Sequence, residues 1–352
     1  MATDTAGGAA GADLAVKGDG QLAGESFQQE IERLFAADPV LRDWKLEFVC
    51  RHPARSSEVF EYRRQAQPEA RHIIVKHRKH QMSREESSAF LAGEFRTLEA
   101  IWNRADSGFR ETIQRPVTLL PEAGAAVFEA VRGRPMTQLL RQWANCVTGP
   151  FCRKRMCRIA RQTGTWLRRF HAVTAGPLIK HDPAAYAAKL SCRLGKSQAA
   201  GLGEETATRV WEVASKANGN MRKEMTRVAQ VHGDFIPQNI LVSGNHVSVI
   251  DFEAHNEMED IHQDLGFFVA YLRVLAGSRA YSGRALAVMR AAFLEGYGED
   301  PGRCLLDLYV LKAVTMMFAD QFSARGRNPV DSEKAQHLRA QLDLAARDLA
   351  AS

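Results

Sequence analysis

The alternation of apolar and polar residues changes character along the chain. A helix is predicted from Ser26 to Asp38, because Ser26 opens a capping-box pattern and apolar residues follow at helical spacing. Short apolar runs of strand type come next, at 45–50, 57–64, 72–76, 117–122 and 125–131. The first three are separated by turns and therefore predict one antiparallel sheet.

From residue 137 onward the helical period dominates. Helices are predicted at 151–173, 204–218, 262–277, 283–297, 303–323 and 331–350. The exception is a hairpin of two short strands, 239–242 and 247–251, around a Ser-Gly-Asn-His turn. The pattern predicts an α+β fold with a disordered tail (1–25), a sheet-rich N-terminal lobe (26–131) and a mainly helical C-terminal lobe (132–352).

One acidic residue interrupts an apolar helix face. A long helix is predicted from about 83 to 104, opened by a second capping box of Ser83 and Glu86. Glu94 lies in the middle of its apolar stripe, and a buried carboxylate needs a partner. Lys76, at the end of the third strand, is the predicted partner.

Bulk composition narrows the class of protein. The 352 residues carry a net charge of +6, which is modest, and no aromatic-plus-basic motif accompanies it, so no nucleic-acid partner is expected. The six cysteines form no CxxC pair, which is typical of reduced thiols in a cytoplasmic protein. The N-terminus lacks the features of a signal peptide, and the most apolar run, 266–277, is too short to span a bilayer.

The stretch VHGDFIPQNILVSGNHVSVIDFE (231–253) places polar residues around the predicted hairpin. Asn239 precedes its first strand and Asp251 ends its second, so the two are expected to be neighbours. Asp234 lies in the loop just before them. Two carboxylates and a carboxamide in one place predict an oxygen-ligand site suited to Mg²⁺.

The same residues occur in the order that phosphoryl transfer from ATP requires. One Asp accepts the proton of the attacking hydroxyl, an Asn and a second Asp hold Mg²⁺, and a strand Lys fixed by a helix Glu contacts the phosphates. The chain supplies these parts, in sequence order, as Lys76, Glu94, Asp234, Asn239 and Asp251. The concurrence predicts an ATP-dependent kinase.

These motifs resemble those of the aminoglycoside phosphotransferase/choline kinase superfamily, which has a protein-kinase-like fold. HGDFIPQN is similar to its HGDxxxxN catalytic loop and VSVIDFE to its metal-binding strand. Asp264, in DIHQDLGFF, matches its structural aspartate, WLRRFHA (166–172) its Leu-His helix, and VFEAVRGRPM (127–136) its hinge. The resemblance covers about 45–325 and is specific at 231–266.

The resemblance implies a role for each matching residue. Asp234 would be the catalytic base, and Asn239 and Asp251 the Mg²⁺ ligands. Lys76 would contact phosphate and Glu94 would hold it. Backbone groups from Glu129 to Val131 would bind the adenine edge. His232 is expected to orient the loop, and Glu253 either supports the metal site or faces solvent.

One departure concerns the phosphate loop, CRHPARSSE, which lacks the glycines that let backbone amides approach phosphate. Ser56 and Ser57, with Arg51 or Arg55, are predicted to substitute through their side chains. The alternative is weak nucleotide binding, as in a pseudokinase or a nucleotide-binding module without transfer activity.

The sequence says less about the acceptor. A small-molecule hydroxyl is expected, with a sugar or glycan building block as the leading candidate and an aminoglycoside or choline-like amino alcohol as alternatives. The acid-rich segment 253–264 suits a cationic or polyhydroxyl acceptor, or is a solvated helix N-terminus. The basic segments 71–80 and 151–171 could face a membrane surface or an anionic glycan, but solvated faces are expected, and peripheral membrane contact has no further support.

Overall fold

The computed structural model of the protein describes residues 19–53, 57–65, 71–78, 83–145, 149–252, 258–298, 301–322 and 332–352. The chain forms two compact units. The described residues up to Ala92 and the segment Val117–Ala130 make the first unit, and Gly93–Pro116 and Val131–Ser352 make the second. Residues 93–116 belong to the second unit, whereas the sequence pattern assigns them to the N-terminal lobe.

The first unit is built on a five-stranded sheet. Its elements are α1 (Asp19–Ala37), β1 (Leu46–Pro53), β2 (Ser57–Arg64), β3 (His72–Arg78), β4 (Pro116–Leu120) and β5 (Ala125–Glu129). The strand order is β1-β2-β3-β5-β4, and β2 pairs antiparallel with both β1 and β3. The predicted antiparallel sheet is therefore confirmed.

One face of this sheet forms the core of the first unit. Alternate residues of β2 and β3, among them Phe60, Tyr62 and Val75, pack with Ile31 and Phe35 of α1. Period-two burial of this kind leaves the other face of the sheet for polar side chains.

The predicted start of α1 at Ser26 is wrong. The helix begins at Asp19, so Ser26 lies in its interior and not at its N-cap position. The residues from Asp19 to Ser26 are helical although the Gly- and Ala-rich composition indicated a tail. Each of the two glycines in this stretch costs a helix only about 1 kcal/mol.

Helix α2 (Arg84–Arg104) runs across the division between the two units. Its predicted capping box is confirmed: the Ser83 N–H donates to Glu86 Oε2 at 2.8 Å, and the Glu86 N–H donates to Ser83 Oγ at 3.1 Å. These reciprocal bonds satisfy two amides at the helix start.

The second unit is mainly helical. Its helices are α3 (Ser107–Arg110), α4 (Met136–Trp143), α5 (Gly149–Val173), α6 (Pro183–Ala199), α7 (Glu204–Asn220), α8 (His262–Ala276), α9 (Gly283–Tyr297), α10 (Arg303–Phe322) and α11 (Glu333–Ala351). The six helices predicted after residue 150 are confirmed to within two residues at each end, while α6 was not predicted. None of the helices in the described part of the chain is long and apolar enough to cross a membrane.

Two small sheets lie within this helical unit. Their strands are β6 (Arg134–Pro135), β7 (Ala175–Lys180), β8 (Met225–Gln230), β9 (Ile240–Ser243), β10 (His246–Val249) and β11 (Met258–Asp260). They are ordered β10-β9-β6 and β11-β8-β7. The β9–β10 hairpin is the predicted one, whereas the second sheet was not predicted. The α+β class is confirmed.

Candidate active site

The loop between β8 and β9 carries the first two polar residues of the site. The Asn239 Nδ2 donates to Asp234 Oδ2 and to the Asp234 carbonyl oxygen, each at 3.0 Å. A carboxylate accepts only, so it is the amide nitrogen of Asn239 that faces Asp234. The carboxamide oxygen of Asn239 is then the atom it can offer to a metal.

The third polar residue follows the β9–β10 hairpin directly. The Ile250 N–H donates to the Asn239 carbonyl oxygen at 3.0 Å, so Asp251 comes one residue after the partner of Asn239. Asp251 is exposed and has φ of +66°, the one positive φ of a non-glycine residue in the described part of the chain. A left-handed backbone at such a residue is strained and is often found at functional sites.

A buried carboxylate on α8 anchors the loop between β8 and β9. Asp264 is 0% exposed and accepts from the backbone N–H of His232 at 2.8 Å and of Gly233 at 3.0 Å. His171 Nε2 lies 3.1 Å from the same carboxylate, and its Nδ1 lies 3.0 Å from the Tyr297 hydroxyl. Helices α5, α8 and α9 thus hold the loop through one hydrogen-bonded chain.

His232 has both ring nitrogens engaged. Its Nδ1 accepts from the Asp234 N–H at 3.3 Å, and its Nε2 donates to the Ile250 carbonyl oxygen at 3.0 Å. One nitrogen accepts and the other donates, which is the pattern of a neutral imidazole. The ring ties the loop to the hairpin, in agreement with an orienting role.

Aromatic side chains fill the space under the loop. Phe235 and Phe252 are both buried, and the ring of Trp166 stacks on Phe235 with centroids 5.8 Å apart. Phe252 packs on His232 at 4.7 Å and on Phe170 at 5.6 Å. This apolar base leaves the polar residues little freedom to move.

Tyr271 of α8 was not predicted as a site residue. Burial, with smaller contributions from Tyr281 and from the charge of Asp234, raises the pKa of Tyr271 to about 12, and Arg141 opposes this shift. The half-buried tyrosine is therefore in electrostatic range of Asp234 and stays protonated at neutral pH. Its helical spacing alone could not distinguish it from a core residue.

The predicted lysine and glutamate are both buried. Lys76 is 9% exposed and lies on β3, opposite Val59 of β2 and Ala126 of β5, while Glu94 is 1% exposed on α2. Lys76 belongs to the first unit and Glu94 to the second. Their pairing stays a prediction.

The other residues predicted to contact the nucleotide lie on β2 and at the end of β5. Ser57 is buried at the start of β2, and Glu129 ends β5 with its side chain 3.4 Å from Arg71 Nη1. The Ala130 N–H, which lies between Glu129 and Val131, donates to the His72 carbonyl oxygen at 2.8 Å and is therefore committed to the sheet. Ser56, Arg55 and Glu253 lie outside the described residues.

The described part of the acid-rich segment, 258–264, is not a free acidic surface. Glu259 pairs with Lys189 at 2.8 Å, and Asp264 accepts from the backbone of His232 and Gly233. Although burial opposes the shift, hydrogen bonds from His181 and His262 hold the pKa of Asp260 far below its usual range. The described acids of this segment are paired or buried, so the expectation of a solvated helix end is wrong for them. The kind of acceptor that the segment would suit stays a prediction. Glu257 lies outside the described residues.

The chain is similar to known phosphotransferases. The sequence model of the phosphotransferase enzyme family matches residues 41–306. No curated protein sequence matches. Among solved structures, a choline/ethanolamine kinase family protein from Mesorhizobium loti is 16% identical, with a TM-score of 0.56 over 92% of this chain and 94% of that one.

Two further structures were solved with ligands. A glucosamine kinase in complex with glucosamine, ADP and inorganic phosphate is 17% identical, with a TM-score of 0.54 over 90% of this chain and 98% of that one. An amicoumacin kinase in complex with AMP-PNP, Ca²⁺ and Ami is 13% identical, with a TM-score of 0.56 over 94% and 96%. At these identities the likeness establishes the fold, and it confirms the predicted kinase-like architecture.

Proposed function

Because the chain belongs to the phosphotransferase enzyme family, an ATP-dependent transfer of phosphate to a hydroxyl is its activity, and we propose which residues carry it out. Asp234 is the catalytic base, and Asn239 and Asp251 hold the metal. This assignment rests on the proximity of the three residues. The side chain of Asn239 donates a hydrogen bond to the Asp234 carboxylate, and the backbone of Asn239 accepts one from Ile250, the residue before Asp251.

Asp234 has the position and the support of a general base. Its carboxylate takes the proton of the acceptor hydroxyl as the hydroxyl oxygen bonds to the γ-phosphorus and the bond to the β-phosphate oxygen breaks, leaving ADP. The Asn239 amide holds the carboxylate, and the His232 ring accepts from the backbone N–H of the same residue. A base held in this way loses little entropy when the substrate binds.

The donor set fits a hard divalent cation. The Asn239 carboxamide oxygen and the Asp251 carboxylate are oxygen ligands of the kind that Mg²⁺ selects. When bound, Mg²⁺ neutralises charge on the phosphates of ATP. The left-handed backbone of Asp251 supports the assignment, since the hairpin holds that carboxylate in a strained but exposed position.

Residues of the first unit would bind the nucleotide. Lys76 contacts the phosphates and Glu94 holds its amine, because both are buried charged residues of a kind that is rarely unpaired. Backbone groups of Glu129 and Val131 bind the adenine edge. Ser56 and Ser57 replace the missing glycine loop.

A polyhydroxyl compound, a sugar or glycan building block, is the proposed acceptor. Glu259 and Asp260 are already paired with Lys189 and with His262, so these two acids are not free to bind the charge of an aminoglycoside or of a choline-like amino alcohol. The protonated hydroxyl of Tyr271, in electrostatic range of Asp234, can both donate to and accept from a sugar hydroxyl. The glucosamine complex of a structural neighbour is consistent with this acceptor class.

The assignment of the base is tested by Asp234→Asn, a substitution of equal shape. Transfer to the best acceptor should fall by about 10²–10⁴-fold, the usual contribution of a general base. Mg²⁺-ATP should still raise the melting temperature, because the substituted residue is not a proposed metal ligand. A variant that transfers phosphate at the wild-type rate would remove Asp234 as the base.

The acceptor is tested with a library that contains amino sugars, neutral sugars, aminoglycosides and choline. Phosphorylated product is measured by mass spectrometry with wild-type protein and Asp234→Asn as the blank. Selective turnover of sugars supports the proposal, and selective turnover of choline or aminoglycosides contradicts it. Stabilisation by ATP with no turnover of any compound would favour a pseudokinase.

A further inference from the structure

Three side chains on the first two strands converge on one point. Cys50 and His52 project from the same face of β1, and Glu61 of β2 is the cross-strand partner of Cys50. Cys50 Sγ lies 3.5 Å from His52 Nε2 and 3.6 Å from Glu61 Oε2, and these last two atoms are 2.5 Å apart. A thiol, an imidazole and a carboxylate thus meet within the reach of a single ion.

A second imidazole supports the carboxylate from the next strand. His72 of β3 approaches Glu61 Oε1, with its Nδ1 at 2.5 Å. Each oxygen of Glu61 therefore faces one histidine. An outer partner on a ligating carboxylate is a regular feature of metal sites, where it fixes the orientation of the ligand.

The cluster lies on the face of the sheet that the core of the first unit does not use. Phe60 and Tyr62, the neighbours of Glu61 in the chain, point into that core. Cys50, Glu61 and His72 are half-buried and His52 is exposed, so an ion can reach the donor atoms from solvent. The strand ladders meanwhile hold all four residues in register.

We propose that Cys50, His52 and Glu61 form a binding site for a zinc-class divalent cation, with His72 as the positioning residue of Glu61. The donors decide the class, because sulfur and imidazole ligands suit Zn²⁺ and not Mg²⁺ or Ca²⁺. Three protein ligands leave a fourth tetrahedral position for water or a small ligand. This site is separate from the oxygen ligands Asn239 and Asp251 in the other unit.

The separations of the donor atoms agree with tetrahedral coordination. With Zn–S near 2.3 Å and Zn–N near 2.0 Å, adjacent ligand atoms lie about 3.4–3.6 Å apart. The two distances from Cys50 Sγ, 3.5 and 3.6 Å, are already in that range. Only the contact between His52 and Glu61 must open, by about 1 Å, and the exposed imidazole of His52 can turn to allow it.

The test uses the full chain, freed of metal with a chelator, and Co²⁺ as the probe. Wild-type protein should bind Co²⁺ with the near-ultraviolet thiolate charge-transfer band and the visible bands of a tetrahedral site, and Zn²⁺ should displace it. Cys50→Ser should abolish the charge-transfer band and weaken Zn²⁺ binding at least tenfold, and His72→Ala should weaken it about tenfold. His52→Ala, at an exposed position, gives a second ligand variant if Cys50→Ser does not fold.

Two matched controls locate the ion. Cys192→Ser removes an exposed cysteine of α6 and should leave the Co²⁺ spectrum unchanged. Asp251→Asn should also leave it unchanged, because that residue belongs to the proposed phosphoryl-transfer site. The proposal is overturned if folded wild-type protein gives no thiolate band, if Cys50→Ser and His52→Ala bind Zn²⁺ as wild type does, or if Asp251→Asn removes the band. These readouts do not depend on phosphoryl transfer.

Discussion

Lys312 is a buried lysine on α10 with an electrostatic effect on stability. It is 5% exposed, and its amine lies over the rings of Tyr309, at 4.2 Å, and Tyr186, at 5.7 Å. Burial lowers the pKa of Lys312 to about 7, against the opposing pull of Glu259 and Asp260. The folded protein therefore holds this proton much less tightly than the unfolded chain does.

Lys312→Met should stabilise the protein, and by more at pH 7 than at pH 9.5. Between a folded pKa near 7 and an unfolded pKa near 10.4, the unfolded state binds more protons, so the contribution of Lys312 to stability rises with pH. At pH 7 the wild type is penalised by an amount on the order of a few kcal/mol, which an apolar residue of similar size removes. Denaturant unfolding at both pH values measures the difference.

An exposed lysine of α6, Lys196, provides the control, and Lys196→Met should change stability by less than about 0.5 kcal/mol. A Lys312→Met variant less stable than wild type at pH 7 would show that the rings and acids around the amine outweigh its burial.

The burial of a single residue can be predicted from the sequence where a local apolar pattern conflicts with the residue's charge. Glu94 in an apolar stripe predicts burial, and the residue is 1% exposed. Lys312 and Tyr271 also lie on apolar helices, but long side chains commonly extend from such positions to solvent. What decides their burial is packing against distant segments, which no local pattern contains.

At the scale of elements, α5 and α9 are in direct backbone contact. A Cβ on Gly164 would lie 2.0 Å from the Phe293 carbonyl oxygen, and a Cβ on Gly296 would lie 2.0 Å from the Arg161 carbonyl oxygen. Two glycines facing each other's helix thus bring the two axes close together. This contact sets where α5 presents His171, which bonds the Asp264 carboxylate.

Gly164→Ala should destabilise the protein, because the methyl group meets backbone that cannot turn aside. A loss of about 1–3 kcal/mol is expected, as for overpacked cores. Gly195→Ala is the matched control: its Cβ would meet nothing within 4 Å, and alanine should stabilise α6 by about 0.5–1 kcal/mol. Chemical denaturation measures both. If Gly164→Ala were as stable as wild type, the helices would be able to separate without cost.

The elements that can be predicted from the sequence are those with a clear hydrophobic period. The β9–β10 hairpin has β-branched strands around a turn that includes Gly244, which adopts a φ of +60°. Strand β7 has no such period: it contains Gly176 and Pro177, and five of its six residues are exposed. It exists because β8 supplies hydrogen-bond partners, and this tertiary effect overrides local preference.

At the scale of the whole molecule, the candidate residues are distributed over two units. Lys76, Ser57 and Glu129 belong to the first, and Glu94, Val131 and the 234–251 set belong to the second. Their order in the sequence predicted the family, which the match over residues 41–306 confirms. Order alone does not reveal that 93–116 join the second unit, since that depends on tertiary contacts.

A ligand that binds only the folded state should stabilise the whole chain, and this tests the metal site independently of turnover. At a concentration 100 times its dissociation constant, Mg²⁺-ATP should add about 2.7 kcal/mol to the free energy of unfolding. Asp251→Asn should remove most of the Mg²⁺-dependent part, because the carboxylate is a proposed ligand. Asparagine also adopts the left-handed backbone found at φ of +66°, so the change removes charge without adding strain.

The comparison needed is melting of wild type, Asp251→Asn and Cys50→Ser with ATP, each with and without Mg²⁺. Cys50→Ser should keep the full Mg²⁺-dependent rise, because its thiol belongs to the proposed site for a softer ion. An Asp251→Asn protein that gains as much from Mg²⁺ as wild type would show that other oxygens hold the metal. A loss of the rise in Cys50→Ser would show that the sulfur site and the nucleotide are energetically coupled, since the two proposed sites share no ligand.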